Sequence, residues 1–516
     1  MLRRTGLHFY LVLGLFAVYL INGLIAIPRN SITYDEMDHW SYGKRILMRK
    51  TDKIYPFDDA SAMPISGLNA IPRAIQQLIK PGLLKTDGGF SDIMNGRYVT
   101  LIVCLLTGFF IYTWSKQLFG EKGGLLSLFL FVFCPNLNGH GVLLTTDAYT
   151  ALSTVMTAYF YWKFIKRSEW KYFLAFSISL SLAQIVKYSM IHLYVFIAIV
   201  SIAVLIKRKT IFAGFARNLT RLIVLNLIIL FIINLGFIFN HPWKSLDDLK
   251  ISSQTFTKLQ NSFISSIPLP VPEPYIVGLD QTIYMNELGA GNPNVSGANY
   301  LLGEKRTATG FWYYYLVIFL FKTPLTALLL LIAAIVFLFV RKKKEGHPST
   351  MFFLLGLIFY FFFVLGFQNN VQIGMRHGLM VYPLLYILCG FIVQLPFYQN
   401  RSKLFSSLLI IYSLATYYYF FPNLISYSNE LIPIKKDSYK VMADSNLDFG
   451  QGWYALEKYL KSHSDVRIIG IKPEHGKFVI GINDYIDLKG DHKYSWIYNV
   501  KPDRQINHCF LLLIIR

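Results

Sequence analysis

Residues 7–39 read LHFYLVLGLFAVYLINGLIAIPRNSITYDEMDH. An apolar run ends at Pro28, and Tyr34-Asp35-Glu36-Met37-Asp38-His39 follows with three carboxylates and a histidine. The run is long enough to cross the bilayer's hydrocarbon layer as a helix. The acids stand where such a helix leaves the membrane. Adjacent carboxylates raise each other's pKa, and a neighbouring histidine shares or relays a proton. A solvated loop start has the same composition, so the rest of the chain must decide between the two.

The 516 residues are 54% apolar, 16% aromatic and 15% charged. A soluble chain carries roughly a quarter charged residues. Repeated apolar runs with basic clusters between them indicate a polytopic α-helical membrane protein. The net charge of +21 therefore reads as topology-setting loops rather than nucleic-acid binding. Cys104, Cys134, Cys389 and Cys509 are scattered, with no metal or disulfide spacing. Met1-Leu-Arg-Arg before the first run resembles a signal peptide, but the run's length and the missing small-residue cleavage site favour an uncleaved span.

The hydropathy pattern predicts about 11 spans, near 7–28, 97–115, 122–136, 143–163, 171–187, 189–206, 222–240, 311–340, 351–367, 378–396 and 404–421. Arg3-Arg4, Lys116/Lys122, Lys163 to Lys171, Lys207 to Arg221, Arg341 to Lys344 and Arg401/Lys403 then share one side, which the positive-inside rule makes cytoplasmic. This gives a membrane domain over 1–421, with outer loops at about 29–95 and 241–310, and an extracytoplasmic α/β region over 422–516. Met37–Lys50 and Ile71–Leu84 read as helices along the membrane surface. The glycine-rich segment 286–297 suits a mobile lid. In the tail, Asp448 to Gln451 has capping-box spacing for a helix to about Ser462, with strands at Val466–Ile471, Phe478–Ile482 and Phe510–Ile515. The sequon Asn218-Leu-Thr220 falls in a cytoplasmic loop and is assigned no glycan.

With this topology the unusual polar residues converge on the outer face: Asp35, Glu36 and His39, Arg97, Asn138, His140 and Asp147, Lys187, and Arg376-His377. Ionisable groups at membrane depth are costly and tend to mark function. Individually, Arg97 and Lys187 also fit snorkelling cations, and Asp147 fits a helix start. Together they suit chemistry on an amphiphile whose phosphate lies at headgroup level. A carboxylate takes a proton from an acceptor hydroxyl, and cations stabilise a departing phosphate.

An ordered series of motifs sharpens this. It runs Asp35-Glu36-x-x-His39, Asn95-Gly96-Arg97, Lys116-Gln-Leu-Phe-Gly120, and Pro135-Asn136 through His140 to Thr145-Thr146-Asp147. It continues with Lys187-Tyr188-Ser189, Tyr300 to Gly303-Glu304, Phe321-Lys322-Thr323-Pro324, Gly374-Met-Arg376-His377, Tyr427-Ser-Asn429-Glu430 and Asp444 to Gln451. The series resembles the GT-C membrane glycosyltransferases, specifically bacterial relatives of protein O-mannosyltransferases and of the lipid A aminoarabinose transferase. The resemblance implies a GT-C fold and inverting transfer of a hexose or pentose from a polyprenyl phosphate. It implies Asp35 as catalytic base and Glu36 orienting acceptor or donor. Arg97, Lys187 and Arg376 would face the lipid phosphate, Asp147 would form a second acidic motif, and His39 and His140 would border the substrate. Lys322 either contacts the donor or marks a kink, and the Asp444–Gln451 motif reads as structural.

The implied partners are a polyprenyl-phosphate sugar, membrane lipid, and a protein, lipid or wall-glycan acceptor, with no nucleic acid. The implied location is a bacterial inner membrane with the site outside. Some relatives use a divalent metal at the acidic pair, but the first loop offers no firm ligand set, so no metal ligand is assigned. A transporter or flippase remains the alternative, although no internal repeat is visible. An inactive scaffold of the same fold is a third reading.

Overall fold

The computed structural model describes residues 2–54, 58–86, 89–209, 214–291, 297–340 and 348–516. Each predicted span contains helix, with its bounds shifted or interrupted at several positions. Among the described residues, five helices are long and apolar enough to cross a membrane unaided: Gly6–Arg29, Ser91–Val132, Tyr188–Arg208, Phe215–Gly236 and Pro348–Gln368. A bent pair, Tyr314–Lys322 and Leu325–Phe339, makes a sixth. The other helices in the predicted series are shorter, such as Trp170–Gln184, or more polar, such as Asp147–Arg167.

Local chemistry explains the breaks. The long helix Phe90–Val132 turns at Gly120, whose φ of 77° is accessible to glycine and strained for other residues. This separates the two spans predicted on either side of Lys116-Gln-Leu-Phe-Gly120. The predicted span 311–340 is not straight: it bends by 117° at Thr323-Pro324. Proline lacks the N–H that would continue the helix, leaving carbonyls to be satisfied from elsewhere. Asn429 does much of this, donating its side-chain amide to Leu320 O (2.6 Å) and Thr323 O (2.8 Å) and its backbone N–H to Phe321 O (2.8 Å). Asn136 serves Lys322 O at 2.5 Å.

The chain divides into two compact units. The first comprises Met1–Tyr34, Thr100–Leu143 and Leu288–Arg516. It includes the bent pair, the helices Pro348–Gln368, Val381–Cys389 and Pro396–Phe420, and a hairpin of β1 (Asn299–Leu301) and β2 (Glu304–Arg306). Its C-terminal part holds β3 (Val466–Ile468), β4 (Gly476–Gly481), β5 (Arg504–Ile506) and β6 (Phe510–Ile515), in the order β3-β4-β6-β5. The helix Trp453–Ser462 covers this sheet through Leu456, which packs with Val466, Val479, Ile506, Phe510 and Leu512. The contacts do not divide at 421/422, because Asn429 and its neighbours hold the helix break of the same unit.

The predicted capping box does not form. The helix starts at Trp453 behind Gly452, Asp448 Oδ1 accepts from Gly450 N (3.0 Å), and Gln451 Oε1 accepts from Phe449 N (2.7 Å). Trp453 N donates instead to Ser31 Oγ at 3.0 Å. Strand β5 lacked a sequence signal, being three residues with one apolar side chain.

The second unit comprises Asp35–Val99 and Leu144–Glu287. It contains the two predicted surface helices, observed at Glu36–Leu47 and Ser66–Ile79. Leu68, Ile71, Ile75, Leu78 and Ile79 are exposed along one face of the latter. The helices Asp147–Arg167 and Trp170–Gln184 form a hairpin, closed by Ser168 in a left-handed conformation with its N–H on Phe164 O (2.7 Å). Of the expected lid, residues 292–296 lie outside the described residues, as do the basic residues Arg341 to Lys344. At the lid's start, Glu287 is tied down by the N–H groups of Gln254 (2.7 Å) and Thr255 (3.0 Å).

Candidate functional site

In the second unit the acidic string straddles a helix start. Asp35 occupies the N-cap position with φ −84°, yet its side chain makes no capping bond, and it is half-buried. Glu36, the next residue, is fully buried, as is Arg97. Arg97 Nε donates to Glu36 Oε1 at 2.7 Å, and its Nη2 donates to Oε2 at 2.5 Å. Leu144 N adds a third donor to Oε1 at 2.8 Å. Burying two charges is expensive, and only such two-pronged geometry with an added N–H offsets the desolvation. The pair thus fixes the start of the Asp35 helix against the helix carrying Arg97. Asn69 reinforces the frame, donating to Gly96 O (2.8 Å) and accepting from the Tyr149 hydroxyl (2.8 Å).

His39 lies one turn along, nearly buried, with Nδ1 3.4 Å from Ser66 Oγ. The helices Glu36–Leu47 and Ser66–Ile79 approach closely there, because Gly43 presents no Cβ to the Ser66 carbonyl it would strike. Asp38 is half-buried. Its carboxyl is pushed up to about 7, first by burial and then by the like charges of Asp58, Asp35 and Asp59. Asp147 opens its helix, where the positive end of the helix dipole favours a carboxylate. Lys187, in extended backbone before a short helical turn, reaches Asp147 Oδ1 at 2.6 Å. The aspartate is 2% exposed and the lysine 16%.

The remaining site residues belong to the first unit. Arg376 sits on the short turn Met375–Gly378, and its guanidinium carbon lies 4.5 Å from the centroid of the Phe449 ring. The His140 ring is 6.4 Å from the same ring. Lys322 donates to Ile425 O (2.5 Å) and Asn446 O (2.7 Å), so its ammonium stitches the helix break to the Asp444–Gln451 segment. Of its two sequence readings, the kink is the one this geometry supports.

The structure therefore brings Asp35, Glu36, His39, Arg97, Asp147 and Lys187 into one unit, and His140 and Arg376 around Phe449 in the other. Glu36 spends both oxygens on protein donors, and Arg97 spends two of its nitrogens on Glu36. The two thereby hold each other and the backbone beside Asp35. Two of the acids are already paired with cations. Glu36 is already neutralised by Arg97 and Asp147 by Lys187, and no ligand cluster occurs among the described residues. Sequence reasoning read Phe449, within the Asp444–Gln451 motif, as a packing residue; only folding sets it beside residues 140 and 376. It counted Asp38 among the acids of the opening string but gave it no role, although its position three residues after Asp35 was the available signal.

A family model described as dolichyl-phosphate-mannose-protein mannosyltransferase matches residues 89–235. No curated protein matches the chain. Among solved structures, ArnT from Cupriavidus metallidurans bound to undecaprenyl phosphate aligns over 97% of this chain and 97% of that one, with 10% identity and a TM-score of 0.51. The Archaeoglobus fulgidus oligosaccharyltransferase in its apo form aligns over 78% of this chain and 55% of that one, with 12% identity and a TM-score of 0.46. The ArnT likeness shows a GT-C fold along nearly the whole chain.

Proposed function

We propose that this protein is a membrane glycosyltransferase that moves a sugar from a polyprenyl-phosphate carrier to an acceptor hydroxyl, with Asp35 as general base. One observation carries the reading: Asp35 makes no capping bond to its own helix and is only partly buried, while the adjacent Glu36–Arg97 pair pins its backbone. A base needs such an arrangement, with an accessible carboxylate on an immobile frame. ArnT, of the same fold, has been captured with undecaprenyl phosphate, which supports a carrier of that class here.

In this reading Asp35 takes the acceptor proton as the hydroxyl oxygen attacks the anomeric carbon. The bond to the carrier oxygen breaks, and the polyprenyl phosphate leaves with its electron pair. A single displacement of this kind inverts the anomeric centre. By the resemblance, Lys187, held by Asp147, and Arg376, held on Phe449, are each candidates to supply positive charge for the departing phosphate. His39, in the unit of Asp35, and His140, beside Phe449, are the further substrate-binding candidates that the resemblance implies. The positive-inside pattern favours an extracytoplasmic site, and the resemblance implies a bacterial inner membrane, where a protein, lipid or wall glycan would be the acceptor.

The test is turnover of a panel of radiolabelled polyprenyl-phosphate sugars by purified protein in lipid. The reading expects release of polyprenyl phosphate from one donor, with inverted product. Movement of an unmodified donor across a sealed vesicle, with no release, would replace it with a flippase.

A further inference from the structure

We propose that Phe449 is a positioning residue, whose ring face holds the Arg376 guanidinium in place for an anionic ligand. The inference rests on the reading above, in which Arg376 meets the carrier phosphate.

An arginine side chain has many rotamers, and fixing one costs entropy unless something pre-organises it. Arg376 starts from a fixed backbone. Met375 N donates to Asn446 Oδ1 (2.9 Å), and Ser445 Oγ bonds the Ile373 carbonyl. Gly374 has φ 141°, and a Cβ there would strike Ser445 Oγ. The far end of the side chain then lies over Phe449 at 4.5 Å. A guanidinium on an aromatic face gains cation–π attraction through its flat face, so the ring contact itself uses none of its in-plane N–H groups.

The platform is itself immobile. Phe449 N donates to Gln451 Oε1 (2.7 Å), and Phe449 O accepts from Tyr34 N (3.3 Å). Gln451 is locked in turn, its amide reaching Asn423 Oδ1 (2.8 Å), Ser426 Oγ (3.1 Å) and Leu447 O (3.0 Å). The ring packs on Leu143 and Ile425 and is 2% exposed. The Asp444–Gln451 segment is therefore a mount for one aromatic face.

The experiment measures binding of undecaprenyl phosphate, beside its neutral alcohol undecaprenol, to full-length protein in nanodiscs. Phe449→Leu should weaken the phosphate by about two- to thirty-fold and leave the alcohol unchanged. Phe449→Tyr, which restores the ring face, should bind the phosphate within about twofold of wild type. Phe449→Leu should also add nothing to Arg376→Gln. Equal weakening of both lipids by Phe449→Leu, or no rescue by Phe449→Tyr, would reduce the residue to packing and overturn the proposal. If Phe449→Leu does not fold, the tyrosine comparison and Phe449→Met carry the same contrast. Phosphate binding untouched by Arg376→Gln would instead remove Arg376 from the carrier site. Binding lost in Arg376→Gln but kept in Phe449→Leu would sink the positioning role alone.

Discussion

Arg97 and Glu36, separated by 61 residues, meet in a two-pronged ion pair with no exposure of either side chain. The pair stands directly beside Asp35, so stability and chemistry are carried by adjacent residues. Arg97→Met leaves Glu36 buried without its cation. It should cost about 3–5 kcal/mol, read as a loss of thermal or denaturant stability in detergent. Asp35→Asn, at a partly buried residue, should stay within about 0.5 kcal/mol of wild type. Equal destabilisation by both changes would contradict this division of labour.

The Asp147–Lys187 pair invites a double-mutant cycle. Lys187→Met strands the buried Asp147 and should cost roughly 1–3 kcal/mol, less than the Arg97 change because the lysine is partly exposed. Adding Asp147→Asn should restore much of that stability without restoring donor turnover. Full recovery of turnover would make the pair purely structural.

Asn429 holds two carbonyls freed by the Pro324 break. Asn429→Ala should destabilise by about 1–3 kcal/mol, as expected when buried acceptors lose their donor. Amide exchange near the break should rise. An unchanged melting profile would mean that other groups satisfy those carbonyls.

Asp38 makes stability depend on pH. Its folded carboxyl is pushed up to about 7, whereas an unfolded aspartate releases its proton near ~3.9. Between those values the native state binds more protons than the unfolded chain, so stability falls as pH rises from about 4 to about 7. Asp38→Asn removes the titration. The variant should match wild type at pH 4 and melt higher at pH 8; identical melting curves across that range would rule out a raised Asp38 pKa.

The spans were legible because hydropathy and basic loops are local signals, and Gly120 and Pro324 marked their breaks in place. The candidate residues were legible as ionisable groups set in an apolar chain. Their pairings were not. Nothing local tells that Glu36 answers Arg97, or that Lys322 donates to carbonyls of Ile425 and Asn446 more than a hundred residues away. Asp448 and Gln451 carried a helix-start pattern, yet Gln451 turned inward to mount Phe449. Tertiary hydrogen bonds outbid the local cap, and spacing alone does not record that competition.

The most direct test of the central claim compares wild type and Asp35→Asn in lipid, measuring polyprenyl-phosphate release from the accepted donor alongside thermal stability. The account predicts that release falls by at least about a hundredfold while the melting curve is unchanged. Near-normal release from a folded Asp35→Asn protein would contradict it, and the base would have to be sought elsewhere.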